Sequence, residues 1–222
     1  MAERDLECPH STDQDSLGPS ISPFIRLVDF LVALVLVATL AIPMALIGLI
    51  IRRHDGGPAL FRQVRVGRDL RAFTVYKFRT MTHDDSATRK GVIGAGDDRE
   101  EARARFQTTA ANDSRITPIG RLLRPSHLDE LPQLFNVLLG DMSLVGVRPD
   151  TFAQEADYSP QYWQQRHRLR PGITGAAQID PDATTMEGRT RAERRWLSQP
   201  TSAVYLGILF RTLGKVMKRS SN

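Results

Sequence analysis

Cysteine is almost absent: the 222-residue chain carries one, Cys8, in a polar stretch near its start. A lone thiol excludes an intrachain disulfide framework, a cysteine-based zinc site and a CxxC redox motif, so nothing points to an oxidising compartment. Internal repeats are also lacking. Basic residues are scarce at the N-terminus, where residues 1–22 hold Arg4 alone against Glu3, Asp5, Glu7, Asp13 and Asp15, a net charge of −4. The whole chain is +5, so residues 23–222 carry 29 basic and 20 acidic side chains. That balance favours an anionic partner, whether phosphates, lipid head groups or nucleic acid. With 41% hydrophobic and 25% charged residues, neither wholesale disorder nor a multi-span membrane protein is expected. The length suits one domain with an appendage.

The longest absence is of charge. Residues 30–51, FLVALVLVATLAIPMALIGLII, contain none, and as a straight helix they would reach roughly 33 Å, about a hydrocarbon core. A cleavable signal peptide fits poorly, because an acidic stretch precedes the run and Arg52, Arg53 and His54 follow it. Apolar side chains surround the whole circumference, which argues against the core helix of a soluble protein. Pro43 lacks the N–H that would pair with Thr39 and divides the run into 13 and 8 residues, so a kink or break is expected there. A kinked span would put the N-terminus outside, whereas a helix-break-helix would leave both flanks on one side. The crowd of Arg52, Arg53, Arg62, Arg65, Arg68 and Arg71 marks the C-terminal flank as cytoplasmic, and Arg26 on the other flank leans towards re-entry.

Around that segment the polar residues 1–21 read as a disordered acidic tail. ALFRQVRV and FTVYKF read as strands of a small hairpin about Gly67-Arg68-Asp69-Leu70. Residues 82–114 read as a hydrophilic surface insertion with a helix near residues 100–106. Ile119, Leu122 and Leu123 suggest a short helix. Ser126 is expected to begin another, with Leu128, Leu131, Leu134, Phe135, Leu138 and Leu139 at helical spacing and Gly140-Asp141 as its stop. Residues 152–169 look helical apart from Pro160, residues 171–175 read as a loop, and residues 203–217 as a helix suited to a membrane surface or to core packing.

Asp129-Glu130 then falls in the first turn of the Ser126 helix, where free N–H groups favour anions. Two readings stand side by side there. Ser126-x-x-Asp129 matches a capping box, while Arg121, Arg124 and Arg148 supply the cations that phosphate chemistry requires. His83 and His127 read as surface histidines.

GGPALFRQVRVG, FTVYKFRTM, ITPIGRLLRPSHLDELPQLFNVLLGDMSLVGVRP and RPGITGAAQ together resemble the bacterial sugar transferase family over about residues 22–180. These are monotopic phosphoglycosyl transferases, which begin glycan assembly on undecaprenyl phosphate. The resemblance implies an α+β fold: a mainly helical cytosolic domain over residues 55–222 with a small β-hairpin and a C-terminal interfacial helix. Residues 22–54 would be a re-entrant membrane helix broken at Pro43. It also implies a two-step transfer at the cytoplasmic face of a bacterial inner membrane. Asp129 attacks the sugar-bearing phosphate of a UDP-sugar, UMP leaves, and undecaprenyl phosphate takes the phosphosugar from the enzyme. Glu130 assists, and Mg2+ near Asp129 offsets charge repulsion.

Lys77, Arg79, Arg124 and Arg148 are the implied phosphate contacts, while Gln63 and Arg65 are expected to fix the hairpin and its lipid contacts. Membrane lipid is the third partner, and a homodimer is allowed for. After PGITG the family carries a tryptophan and, further on, an arginine, whereas here Ala176 and Asp182 stand, with Arg189 or Arg191 as the candidate substitute cation. A membrane-attached scaffold of the same fold is the alternative function. A nucleic-acid-binding module is disfavoured, because no RNP, KH or zinc-finger motif accompanies the high pI of 9.8.

Overall fold

The computed structural model describes residues 22–82 and 113–220. The N-terminal tail, His83 and most of the hydrophilic insertion with its expected helix lie outside the described residues. The chain enters a long helix, α1 (Pro23–Asp55), through Ser22, whose Oγ accepts from the Phe24 N–H at 3.3 Å, and through Pro23, whose missing N–H has no partner to lose in a first turn. Gly56 ends it at φ +72°, with Arg52, Arg53 and His54 in the last turn, where cations complement free carbonyls.

The helix runs through Pro43 without the expected break. One backbone hydrogen bond is forfeited, yet Met44 and Ile51 beyond the proline are buried beside Phe78 and Leu123, which holds the second half in line. The first half packs elsewhere: Ile25 and Ala33 join Val137, Leu144, Tyr205 and Ile208 in the main core. By length and composition α1 could cross a membrane, and Leu31, Val35, Ile42, Leu46 and Ile50 on it are exposed.

The expected hairpin forms. Strands β1 (Leu60–Val66) and β2 (Ala72–Phe78) pair antiparallel from Leu60 opposite Phe78 to Val66 opposite Ala72. Asp69 and Leu70 turn the chain with φ of 55° and 58°, the left-handed geometry that matches hairpin twist.

The segment around Asp129 differs from expectation. Thr117 caps helix α2 (Pro118–Ser126), its Oγ1 accepting from the Gly120 N–H at 3.0 Å, with Pro118 at the first position. Ser126 therefore ends a helix, and its hydroxyl donates to the carbonyls of Leu122 and Leu123 instead of forming a capping box. His127 swings into the left-handed region at φ 56°, a 3₁₀ turn covers Leu128–Glu130, and α3 (Gln133–Leu139) follows Pro132. Pro132 cannot donate to the turn before it, which splits the apolar period into two elements. Gly140, at φ 93°, stops α3 as expected.

Beyond α3, β3 (Ser143–Val145) pairs in parallel with β4 (Gly172–Thr174). The PGIT segment, expected as a loop, is thus partly strand, because a parallel partner far away in sequence leaves no local signal. A 3₁₀ turn over Phe152–Asp157 and helix α4 (Pro160–Arg166) make the crossover. Helices α5 (Ala176–Ile179), α6 (Met186–Ser198) and α7 (Ser202–Ser220) complete a mostly helical α+β fold.

The ends of α1 are tied to this domain by polar contacts. Near its start, buried Asp29 accepts from Ser143 Oγ and the Leu144 N–H, each at 2.8 Å, and from the Tyr205 hydroxyl. Arg26 Nη2 donates to Val137 O at 2.7 Å, capping α3 from outside. At the far end Arg79 makes a two-pronged ion pair with Asp55 and donates to Pro58 O.

Candidate active site

The hairpin register aligns Gln63 with Val75 and Arg65 with Phe73, and Phe61 with Lys77, so these residues share one face of the ribbon. Helix α3 docks on the open edge of β2. Asn136, fully buried, donates from Nδ2 to Thr74 O at 2.7 Å and accepts from the Tyr76 N–H at 3.1 Å. One side-chain amide thereby replaces a neighbouring strand and sets Lys77 against the turn that precedes α3. Lys77 Nζ donates to Glu130 Oε1 at 2.6 Å.

The other wall is the loop after β3, where three successive carbonyls are held. Arg148 O accepts from Arg166 Nη2 at 2.8 Å, Pro149 O from Arg65 Nη1 at 3.1 Å, and Asp150 O from the Val66 N–H at 2.9 Å. Arg166 is itself completely buried between Asp150 and Glu193. This triad fixes the backbone from which Arg148 reaches within 3.9 Å of Glu130.

Between these walls lies an open cleft whose lining includes Arg65, Lys77, Glu130, Gln133, Arg148 and Gln178. Three cations face one carboxylate there. Burial opposes ionisation of Glu130, but Lys77 and then Arg148 outweigh it and hold its pKa below the ordinary glutamate value. Asp129 behaves in the opposite sense: burial first and the Glu130 charge second push its pKa up, against a partial pull from Lys77. Among the described residues Asp129 has no ion pair within 4.0 Å. The dyad thus consists of one satisfied carboxylate and one short of positive charge.

Of the expected phosphate contacts, Lys77 and Arg148 line this cleft with Glu130. Arg79 does not line it; it is engaged with Asp55 at the foot of α1. Arg124 donates from Nε to Thr80 Oγ1 at 2.9 Å and also lies outside the lining. Arg189 pairs with Glu193 and Arg191 with Glu187, so both substitute cations have partners of their own. The exposed Asp182 takes part in a turn with Asp180. Arg65, expected with Gln63 to fix the hairpin and its lipid contacts, does bond Gln63 but also lines the cleft; the two-residue alternation that puts both on the face of Lys77 is the sequence signal for this.

Among the described residues no group of three or more His, Cys, Asp or Glu could hold a metal ion. Mg2+ does not require such a cage, since one or two carboxylates with phosphate oxygens and waters suffice. Asp129, half-buried and without an ion pair among the described residues, fits that donor set.

A long apolar helix laid along an α+β domain, with a carboxylate pair beside a cationic cleft, defines a site suited to an anionic ligand near a lipid surface. The chain belongs to the bacterial sugar transferase family, whose model matches residues 21–219. It is 33% identical over 216 residues to an undecaprenyl-phosphate galactose phosphotransferase of Salmonella typhimurium, covering 93% of this chain and 43% of that protein. It is 37% identical to a UDP-N-acetylgalactosamine-undecaprenyl-phosphate N-acetylgalactosaminephosphotransferase of Aeromonas hydrophila, covering 77% of this chain and 37% of the relative. An uncharacterized sugar transferase, EpsL, of Bacillus subtilis is 36% identical over 86% of both chains. The chain therefore spans less than half the length of the first two relatives.

Proposed function

We propose that this protein transfers a sugar 1-phosphate from a UDP-sugar to undecaprenyl phosphate through a covalent phosphosugar on Asp129. The carrying observation is the division of labour in the dyad: Glu130 is held ionised between Lys77 and Arg148, while Asp129 beside it has no ion pair within 4.0 Å among the described residues and feels Lys77 only at longer range. In the first displacement an Asp129 carboxylate oxygen bonds to the sugar-bearing phosphorus as the bond to the UMP phosphate oxygen breaks, and UMP carries away the electron pair. In the second, a phosphate oxygen of undecaprenyl phosphate attacks the same phosphorus and frees the carboxylate. Lys77 and Arg148 bind the diphosphate, and Glu130 orients Lys77. Asp129, together with the substrate phosphates, would hold Mg2+, which supplies charge neutralisation when bound.

Residues 22–54 are proposed to enter and leave the same, cytoplasmic, leaflet of the inner membrane, with residues 55–222 as the transferase domain. Ties from Arg26 and Asp29 at one end, and from Asp55 at the other, reach the same domain and support this reading. Among the described residues, both ends of α1 are thus held to one domain. A bend, if the helix takes one in lipid, would fall at Pro43, where the helix interior forgoes a backbone hydrogen bond.

UMP release from a panel of UDP-sugars, with undecaprenyl phosphate and Mg2+, tests the chemistry. Wild type is expected to turn over at least one donor and Asp129→Asn none, while remaining membrane-bound. Residual turnover in the variant overturns the nucleophile assignment, and silence across the panel from folded wild type favours the scaffold alternative. For topology, Ser16→Cys in a chain lacking Cys8 is expected to resist a membrane-impermeant thiol reagent in intact cells; labelling from outside means a spanning helix.

A further inference from the structure

Arg65 is spent only in part. Its Nη1 holds Pro149 O at 3.1 Å and its Nη2 donates to Gln63 Oε1 at 2.5 Å. Its Nε is buried without a hydrogen-bond partner among the described residues. An orphaned buried donor is destabilising, by ~1–3 kcal/mol for a typical group, so such a group on the wall of a cleft points to an acceptor that arrives from outside. The cleft has the matching charge. Arg65, Lys77 and Arg148 stand there against Glu130 alone among its lining residues, a net charge of +2 that a diphosphate would neutralise. Burial, and then the neighbouring Arg148, push the Arg65 pKa down to about 10, the sign of a cation held in a positive and poorly solvated place. A lipid-facing role explains none of this, because the side chain turns inward to the loop that carries Arg148.

We propose that Arg65 is a substrate-binding residue, a third cation that meets the diphosphate of the donor alongside Lys77 and Arg148. It would do so through Nε–H, the donor that has no partner among the described residues. Its bond to Pro149 O gives it a second task, since the same side chain then couples an arriving phosphate to the loop bearing Arg148. Gln63 takes the remaining prong and fixes the plane of the guanidinium. This inference rests on the donor reading above, and the experiment separates the two.

Inorganic pyrophosphate and UMP are titrated calorimetrically into the full-length detergent-solubilised protein, in parallel with donor KM and kcat. Arg65→Gln is expected to weaken pyrophosphate binding and raise donor KM by ~10-fold or more, the scale of one lost charge-assisted hydrogen bond. Arg65→Lys, which keeps the charge but not the fork, is expected to fall between that variant and wild type. Unchanged pyrophosphate affinity and KM in either folded variant, with loss confined to melting temperature or kcat, overturns the proposal and leaves Arg65 as a loop anchor. Should Arg65→Gln not fold, Arg65→Lys decides alone. If wild type binds pyrophosphate but releases no UMP from any UDP-sugar, the transferase reading fails while the Arg65 comparison still stands. Absence of pyrophosphate binding to wild type sinks the Arg65 proposal itself.

Discussion

Lys77 on β2 and Glu130 in the 3₁₀ turn before α3 meet at 2.6 Å, each 19% exposed, across 53 positions of sequence. Their pairing closes the hairpin onto the turn that carries Asp129, so it belongs to the scaffold and to the cleft at once.

A double-mutant cycle on this pair should show coupling. Lys77→Met alone leaves a mostly buried carboxylate with Arg148 as its nearest cation and should cost ~1–3 kcal/mol, while adding Glu130→Gln should return ~1 kcal/mol of that loss. Because the folded Glu130 pKa lies below its ordinary value of 4.5, the pair's contribution is present above that pH and fades as pH falls through the folded pKa. Denaturant titrations at pH 7 and at acid pH measure both terms.

Asp29 is 2% exposed and satisfies three donors, from Ser143, Leu144 and Tyr205. Asp29→Leu strands all three beneath the core and should cost ~3 kcal/mol or more, whereas Tyr205→Phe, which deletes one donor cleanly, should cost ~1 kcal/mol. Hydrogen exchange should reveal α1 loosening from α7 in the first variant. Equal protection of both helices in Asp29→Leu and wild type would refute the anchoring role.

At Gly172 a Cβ would lie 2.0 Å from Gly146 N and 2.4 Å from Thr174 O, both backbone atoms that cannot move aside cheaply. Gly172→Ala should therefore part β4 from β3, break the Gly172 N–H bond to Val147 O at 2.8 Å, and lower the melting temperature steeply. Gly207, in α7, meets nothing within 4 Å, and Gly207→Ala should raise stability by ~0.5–1 kcal/mol through helix propensity. Calorimetry on the two variants gives opposite signs if the backbone approach is as described.

His167 is 1% exposed, with Nδ1 2.8 Å from Trp163 O and its ring edge-on to Trp163 at 4.1 Å. Burial pulls its pKa down from 6.5 to about 4, with the Trp163 carbonyl partly opposing. The unfolded chain thus binds the extra proton first, so stability falls as pH drops from 6.5 towards 4, by up to ~1.4 kcal/mol per unit, and is unaffected by this group above 6.5. His167→Asn should flatten that slope in melting curves taken across the window. An unchanged slope would assign the acid sensitivity elsewhere.

Local chemistry made much of this protein readable in one dimension. The charge-free run announced α1, Gly67-Arg68-Asp69-Leu70 announced the hairpin, Gly140 announced the end of α3, and the block around Asp129-Glu130 announced the family. Each signal is carried by neighbours in the chain, through propensity, turn geometry or apolar period. Tertiary structure decided the rest. The helix α1 stays continuous at Pro43 because Met44 and Ile51 have a surface to pack on. PGIT becomes strand because β3 lies beside it. Which arginines share the cleft was only partly legible: strand alternation sets Arg65 on the face of Lys77, but Arg79, Arg124 and Arg148 look alike as charges. Only the pairing of Arg79 with Asp55 and the hydrogen bond of Arg124 to Thr80 sort them. Those contacts join residues far apart in the chain, and their energies exist only once the core has brought the elements together.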